Sequence, residues 1–297
     1  MKIFEFSFNP KKRKDRFFQV FSYEPKNPKE KPKGSLYIVG ELNNALEFNS
    51  RFLKRLSETM QSEYYNSSQK TASVALNAAL KKVNMFLTQE SKKGNVDWLG
   101  NLHLAVLLFI TVKEKRTMFH FTKTGSIEIS LVRQGMMVDV GKNLESSSRQ
   151  PGKVFENLVS GALMPNDSVT AVSKEIFDVL AREKSLGGIG VLKEAKEFHE
   201  FFLKRQRILS SSSGVLVSFV IEEEEAKRSP INKSLLPSLP RPRLMLKTGI
   251  KFNPPKLNLK FSRLHRQAWM RHPSALKKQA ILILLLAGLL LLGYLLF

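Results

Sequence analysis

The chain has 297 residues, of which 42% are hydrophobic and 25% are charged, and its formal net charge is +22. This length fits one large domain or two small ones, and the composition excludes a collagen, a disulfide scaffold and a globally disordered chain. No cysteine is present, which excludes disulfides, zinc–thiolate sites and thiol nucleophiles.

Hydrophobic spacing in the first third of the chain predicts one strand and two helices. Residues 36–39 form a short apolar run typical of a strand. An apolar stripe from Leu42 to Met60 predicts a first helix, and residues 72–87 carry the stripe of a second one. Gly94 and the polar residues around it end the second helix.

The middle of the chain predicts a series of short strands. Residues 102–112, 117–123, 127–133 and 136–140 are rich in β-forming residues and are separated by charged or glycine-containing turns, which is typical of an antiparallel meander.

The remainder of the domain predicts strands and helices in alternation. Residues 154–163 and 168–173 indicate two strands, and residues 174–184 and 189–206 indicate helices. A last strand is predicted at residues 215–221. The fold class is therefore α+β, with helices packed on antiparallel sheets.

The usual catalytic motifs are absent. The sequence has no P-loop, no nucleophile elbow, no zinc-protease H-E-x-x-H and no kinase H-R-D. The histidines are scattered, and His103 and His120 fall on predicted strands, where a structural histidine is more common than a metal ligand. Residue chemistry alone therefore indicates no enzyme class.

Seven short segments match known motifs in their order along the chain. They lie at residues 14–18, 36–41, 50–53, 100–110, 124–135, 164–180 and 212–217. They resemble, in the same order, the segments N-E-D, A-D-G, A-S-R-L, G-T-T-A, V-G-D-S-R-x-Y-L-x-R-x-G, P-G-D-x-L-L-L-x-S-D-G-L-F-D-V-L and D-N-x-T. Roughly residues 10–225 are thus similar to the metal-dependent, type-2C (PPM-type) protein serine/threonine phosphatases.

The resemblance implies an α/β/β/α sandwich, with two antiparallel sheets between flanking helix pairs. It also implies a binuclear Mg²⁺ or Mn²⁺ site at one end of the sandwich. There a metal-activated water would attack the phosphorus of a phosphoserine or phosphothreonine.

The matching positions lack most of the ligands that such a site needs. Asp15 and Glu41 are vestigial candidates, although Glu41 is expected to be a surface or helix-capping residue and Asp15 a solvated acid. Ser126 replaces the aspartate of V-G-D, and Lys174 replaces the aspartate of S-D-G. An ammonium group at that place would repel metal ions. We therefore expect no metal and no cofactor.

Charge divides the chain into three parts. Residues 1–225 have mixed charge, residues 226–279 carry 14 Lys and Arg with no acid, and residues 280–297 carry no charge. Seven prolines and self-repulsion predict an extended linker at 226–279, and its cations suit an anionic membrane surface. Nucleic acid is a less favoured partner of the linker.

The apolar end predicts a single membrane span at residues 280–297. An 18-residue helix is about 27 Å long, close to the thickness of the hydrocarbon core, and this segment has no polar face. Five cations precede it and predict that the N-terminal domain is cytoplasmic: Arg263, Arg266, Arg271, Lys277 and Lys278.

Three functions remain open. The leading hypothesis is a membrane-anchored, catalytically inactive phosphatase-like module that binds a phosphoprotein, a kinase or another membrane component. An alternative is a divergent active phosphatase, using Asp15 and Glu41 with Asp139 or Asp167 and with Mg²⁺ or Mn²⁺. The third is a membrane-attached nucleic-acid binder that acts through the basic linker.

Overall fold

The computed structural model describes residues 1–25, 27–44, 50–112, 116–142, 144 and 151–222. The predicted linker, the predicted membrane span and the five cations that precede the span lie outside these residues. Within the described ranges, no helix combines the length and the apolar character needed to cross a membrane.

The described residues form ten strands and six α-helices. In chain order they are β1 Lys2–Phe8, β2 Arg16–Tyr23, β3 Ser35–Asn43, α1 Ser50–Tyr65, α2 Ala72–Lys92, β4 Leu102–Val112, β5 Arg116–Thr124, β6 Glu128–Arg133, β7 Met136–Asp139, β8 Val159–Leu163, β9 Ser168–Val172, α3 Lys174–Arg182, α4 Leu186–Ile189, α5 Ala195–Leu203, α6 Gln206–Leu209 and β10 Gly214–Val220. Short 3₁₀ helices also occur at Lys31–Lys33 and Pro151–Lys153.

Two antiparallel sheets of five described strands each make up the centre of the fold. Their strand orders are β1-β10-β9-β6-β7 and β2-β3-β4-β5-β8. One apolar cluster fills the space between the sheets, a second lies between α1, α2 and the β3–β4 region, and a third lies between α3–α6 and the β1–β10 region. The predicted arrangement of two antiparallel sheets with flanking helices is confirmed.

Strand β1 was not predicted, although its sequence alternates. Phe4, Phe6 and Phe8 point to the same face and pack with α5, where their rings contact Phe198 and Phe202. The residues between them are more exposed or face the other way, as expected for a strand with a period of two.

The predicted first helix begins too early in the sequence. Leu42 lies in β3, where it pairs with Phe17 of β2 and Leu102 of β4, and the described part of the helix starts at Ser50. A buried residue such as Leu42 suits a strand as well as a helix, so hydrophobic spacing alone does not separate the two.

The predicted strand at residues 154–163 is shorter than expected, because Asn84 of α2 binds the backbone where the strand would start. The Asn84 Oδ1 accepts hydrogen bonds from the Val154 and Phe155 N–H groups at 3.1 and 3.0 Å. Its Nδ2 donates to the Phe155 carbonyl at 2.9 Å. Val154 and Phe155 therefore pack in the helix layer, and β8 begins at Val159.

Asn84→Ala is expected to lower the free energy of unfolding by about 2–3 kcal/mol, since it leaves buried backbone groups without partners. Urea unfolding followed by circular dichroism measures this loss. Asn77→Ala, at an exposed position on the same helix, is the matched control and should change stability by less than about 0.5 kcal/mol. Equal effects of the two substitutions would contradict this role of Asn84.

The predicted helix at residues 189–206 is not continuous, because α4 ends at Ile189, α5 covers only Ala195–Leu203 and α6 begins at Gln206. Gly190 ends α4 against Val132 of β6, so closely that a Cβ atom would overlap the Val132 side chain. A new helix starts after Glu194, where Glu197 Oε2 accepts hydrogen bonds from the Lys193 and Glu194 N–H groups. These caps stop one continuous helix from forming.

Candidate functional site

Segments that resemble the phosphatase motifs meet at one end of the sandwich. Arg16 at the start of β2 pairs with Asn43 at the end of β3. On the other sheet, Glu128 starts β6 beside the end of β9, and α3 begins at Lys174 directly afterwards. Strand β10 starts at the same end, at Gly214. We call the end that holds these five residues the motif end.

Arg16 lies at the centre of the motif end. Its guanidinium group is within 3.6 Å of the Glu41 carboxylate and donates a hydrogen bond to Glu175 of α3. It also donates to the Ser213 carbonyl at 3.2 Å. Arg16 is 17% exposed and Glu41 is 3% exposed, so the pair is largely removed from water. One arginine thus joins β2, β3, α3 and the start of β10.

Backbone and hydroxyl groups hold this arrangement in place. Glu175 Oε1 accepts a hydrogen bond from the Ser213 N–H at 3.2 Å. Ser173, which precedes α3, accepts a hydrogen bond at Oγ from the Val215 N–H at 3.0 Å. The Glu175 carboxylate is therefore fixed by Arg16 on one side and by the backbone on the other.

Glu41 was expected at the surface or at a helix cap, and this expectation was wrong. It lies within β3, buried beside Arg16. Burial raises the pKa of its carboxyl group, while a hydrogen bond with Ser173 and the charge of Arg16 act in the opposite direction. The alternation of β3 turns Glu41 inward, and the Arg16 charge compensates its burial only in part.

Lys174 lies at the edge of the motif end, on the first residue of α3. Its Nζ is 3.1 Å from Asp178 and 3.4 Å from Glu128, and its side chain is 47% exposed. The hydrogen bond with Asp178 raises the pKa of Lys174. A second lysine, the buried Lys123, lies 3.4 Å from the other oxygen of Glu128. Lysines therefore flank Glu128, while the cation between the acids Glu41 and Glu175 is Arg16.

Asp15 lies outside the buried cluster. It is exposed and forms a two-pronged pair with Arg13, at 3.1 Å from Nε and 2.6 Å from Nη2. The hydrogen bond from Arg13 holds the pKa of the Asp15 carboxyl group below its usual value. Asp15 is therefore exposed, as expected for a solvated acid, but it also has a specific arginine partner.

Ser126 contributes its backbone to the motif end. In the turn between β5 and β6, its N–H donates to Nδ1 of His103 at 3.1 Å. Gly125 makes this approach possible, because it has φ of +67° and a Cβ atom there would overlap the His103 ring. On the other side of the ring, the Asn43 amide is 2.8 Å from Nε2. Nδ1 therefore accepts a hydrogen bond, which requires an unprotonated nitrogen.

Acidification is expected to destabilise the domain through His103. Burial of the ring, together with the charge of Arg16, holds the pKa of His103 below its usual value. The unfolded chain thus binds a proton on this ring at a higher pH than the folded chain. The free energy of unfolding should fall as the pH drops below about 6.5 and towards the folded pKa.

His103→Gln tests this prediction, because glutamine does not titrate. Its stability should decline less steeply than that of the wild type between about pH 7 and pH 5 in urea unfolding. The same slope in both proteins would show that His103 does not carry the effect.

The side chains of the motif end do not fit a pair of divalent cations. Two such ions carry four positive charges and need several carboxylates in bridging and terminal positions. Four carboxylates of the motif end face an arginine or lysine instead: Asp15, Glu41, Glu128 and Glu175. Across the described ranges, no group of three or more His, Asp or Glu residues is arranged to hold a metal ion.

The other acids considered for an active enzyme lie at the opposite end of the domain (Asp167) or on the outer edge of its sheet (Asp139). Asp167 precedes β9 at the end opposite the motif end, and this five-residue strand is about 17 Å long. Asp167 is bound there by Arg133 and by the Met164 N–H. Asp139 is exposed on the edge strand β7 and accepts from the Gly141 N–H at 3.0 Å. The structure does not bring either acid to Glu41.

Sequence reasoning missed the role of Arg16 and the contact that Glu175 makes with it. Both residues lie within motif segments that were recognised. Arg16 directly follows Asp15, and Glu175 directly follows Lys174. The available signal was an arginine at the first position of an otherwise apolar strand, where its charge needs an acidic partner.

The fold is similar to those of solved bacterial phosphatases. The serine/threonine phosphatase of S. agalactiae matches with a TM-score of 0.52 and 12% identity, over 74% of this chain and 98% of that chain. The serine/threonine phosphatase Stp1 from Staphylococcus aureus matches with a TM-score of 0.50 and 12% identity, over 75% of this chain and 94% of that chain.

At the sequence level, neither a family profile nor a curated protein matches the chain. At 12% identity, the similarity supports a shared fold only, and the roles of individual residues rest on the contacts described above. From the two antiparallel sheets, the flanking helices and these neighbours together, the chain has the fold of the PPM-type serine/threonine phosphatases.

Proposed function

We propose that this protein is a catalytically inactive phosphatase-like module that works by binding. In this proposal the domain is held at the cytoplasmic face of a membrane. Its partner is a protein such as a phosphoprotein or a kinase, and it uses no metal ion or other cofactor.

One observation carries the proposal of inactivity. The guanidinium group of Arg16 lies between Glu41 and Glu175, where the resembled family would gather carboxylates around metal ions. A fixed cation at this position repels divalent ions and occupies the acids that would bind them. The contacts of Lys174 and Lys123 with Glu128 add to the positive charge.

The membrane attachment is supported by the sequence. Residues 280–297 are uncharged and apolar, and cations without acids precede them. After cell fractionation, we expect the full-length protein to stay in the membrane pellet during an alkaline carbonate wash. A variant without residues 280–297 should be released. Release of the full-length protein would contradict membrane attachment.

A phosphatase assay tests the proposed inactivity. The purified full-length protein in detergent is incubated with an aryl phosphate or a phosphothreonine peptide, with and without Mn²⁺. We expect the rate of the buffer blank in every case, because no metal-activated water is available.

Two alanine variants make the assay specific. Glu41→Ala removes a buried acid of the motif end, and Glu63→Ala removes an exposed acid of α1 as a matched control. Turnover that depends on Mn²⁺, disappears in Glu41→Ala and persists in Glu63→Ala would establish an active phosphatase instead.

A further inference from the structure

The turn between β1 and β2 carries an uncompensated positive charge. Lys11, Lys12 and Lys14 are exposed there, and none of them has an acidic partner among the residues that the structure describes. The acid of the turn, Asp15, is already paired with Arg13. We call residues 10–14 the basic turn.

The basic turn has a defined conformation. Asn9 Oδ1 accepts a hydrogen bond from the Arg13 N–H at 2.8 Å, and Asn9 Nδ2 donates to the Arg13 carbonyl at 3.1 Å. The Lys12 N–H donates to the Asn9 carbonyl at 3.0 Å. Asn9 is also bound by the hydroxyl of Ser213 at 3.3 Å, which fastens the turn to the motif end. The lysines therefore form a preorganised group of charges.

The opposite end of the domain pairs its acids with cations. The described residues end there at Glu222, which pairs with the Met1 amino group and with Lys2, and Glu194 also pairs with Lys2. We call this the exit end. The seven residues of β10 separate it from the motif end by roughly 20 Å. The basic turn thus carries unpaired cations, whereas Glu194 and Glu222 at the exit end are paired with cations.

We propose that the basic turn docks on an anionic bilayer surface, so that the motif end faces the lipid phosphates and the exit end faces away. This inference rests on the proposed membrane attachment and adds a second contact to the basic linker. An anionic leaflet attracts lysines near its surface, and the three unpaired lysines lie together on one turn, so their attraction orients the domain.

The length of the linker permits this orientation. Even a flexible coil of 54 residues, the length of residues 226–279, would have an end-to-end distance of about 40 Å, and the extended linker predicted from the prolines would be longer. That distance exceeds the roughly 20 Å between the two ends of the domain. The motif end can therefore reach the bilayer although the chain leaves from the other end.

The side chains favour a diffuse anionic surface over a single phosphopeptide. Arginine is the residue that binds one phosphate group in a two-pronged geometry, and the arginines here, Arg13 and Arg16, are already engaged by carboxylates. The free cations are lysines on one turn, which act as point charges. Such charges suit a plane of phosphates rather than one oriented group.

The test places a fluorescent probe at each end of the full-length protein reconstituted in vesicles. The chain has no cysteine, so Ser211→Cys near the motif end and Val191→Cys near the exit end give single labelling sites. Quenching by lipids with a spin-labelled headgroup reports the distance to the bilayer. We expect quenching at position 211 in anionic vesicles, little in neutral vesicles, and little at position 191 in either.

Charge variants make the result specific to the basic turn. Glutamine at Lys11, Lys12 and Lys14 should lower the ratio of docked to undocked domain by about 100-fold, since each lysine near an anionic surface contributes about fivefold. The matched control places glutamine at Lys81, Lys82 and Lys92 of α2. This variant loses the same three charges at exposed positions of α2, and quenching at position 211 should remain as it is with all lysines present.

Each other outcome overturns the inference. These outcomes are equal quenching at both labels, equal loss in both charge variants, or release of the probe by a short DNA duplex or a phosphopeptide at matched phosphate concentration. If the protein does not incorporate into vesicles, the proposed attachment has failed. The same labels are then measured with vesicles added to the soluble protein, where position 211 alone should still respond.

Discussion

Alanine in place of Asp167 is expected to lower the free energy of unfolding by about 3–5 kcal/mol, as for other buried ion pairs that lose one partner. The Asp167 carboxylate is 2% exposed and accepts hydrogen bonds from Arg133 at 2.6–3.1 Å and from the Met164 N–H at 2.7 Å. Its removal leaves a partly buried guanidinium group and a backbone donor without their acceptor.

Urea unfolding of the wild type and three variants measures this effect. Asp167→Asn keeps an acceptor for the Met164 N–H and should lose less stability than Asp167→Ala. The matched control, Asp97→Ala, makes the same change at an exposed position and should stay within about 0.5 kcal/mol of the wild type. A loss below about 1 kcal/mol for Asp167→Ala would contradict the structural role of this pair.

Arg16→Leu is the second substitution with a large expected effect. It removes the guanidinium group from between Glu41 and Glu175, and we expect a loss of about 3 kcal/mol at neutral pH. Glu41 would then be a buried acid without its cation. Its pKa, which burial already raises, should rise further.

The dependence of this loss on pH identifies its cause. A carboxyl group whose pKa is raised by folding loses stabilising free energy as the pH rises through the folded pKa. The loss in Arg16→Leu should therefore be smaller at about pH 5 than at neutral pH. Adding Glu41→Gln to the Arg16→Leu variant should recover part of the lost free energy of unfolding.

Arg51→Leu is the control for Arg16→Leu. Arg51 is exposed on α1, so the same substitution there should change stability little at either pH. A loss in Arg16→Leu that does not depend on pH would argue against a buried charge as its cause.

Much of the fold could be predicted because its signals are local. Strand β4 was predicted with the bounds that the structure has, since its apolar run is long and polar residues flank it in the sequence. The motif resemblance also gave the correct layer order. The resemblance also holds for the turn before β9, where the sequence P-N-D stands in place of P-G-D. Asn166 has φ of +69° there, a conformation that asparagine tolerates better than most residues.

The errors arose where distant side chains decide the local structure. Asn84 determines where β8 begins, although it lies about 70 residues earlier in the chain. Close packing of Gly190 on Val132 divides a predicted helix. Periodicity within one segment carries no information about such contacts.

The candidate site could be predicted in its position but not in its detail. The missing aspartates at Ser126 and Lys174 were visible in the sequence, and the structure places both residues at the motif end. The pairing of Arg16 with Glu41 and Glu175 depends on β2, β3 and α3 meeting in space. Only the assembled fold brings an arginine at position 16 to a glutamate at position 175.

Titration of the full-length protein with Mn²⁺ by calorimetry tests the central claim most directly. If Arg16 and the lysines of the motif end exclude divalent cations, no saturable heat should be observed up to millimolar Mn²⁺, and Glu41→Gln should give the same trace. Two Mn²⁺ ions bound per chain at micromolar concentration, with their binding lost in Glu41→Gln, would contradict the account.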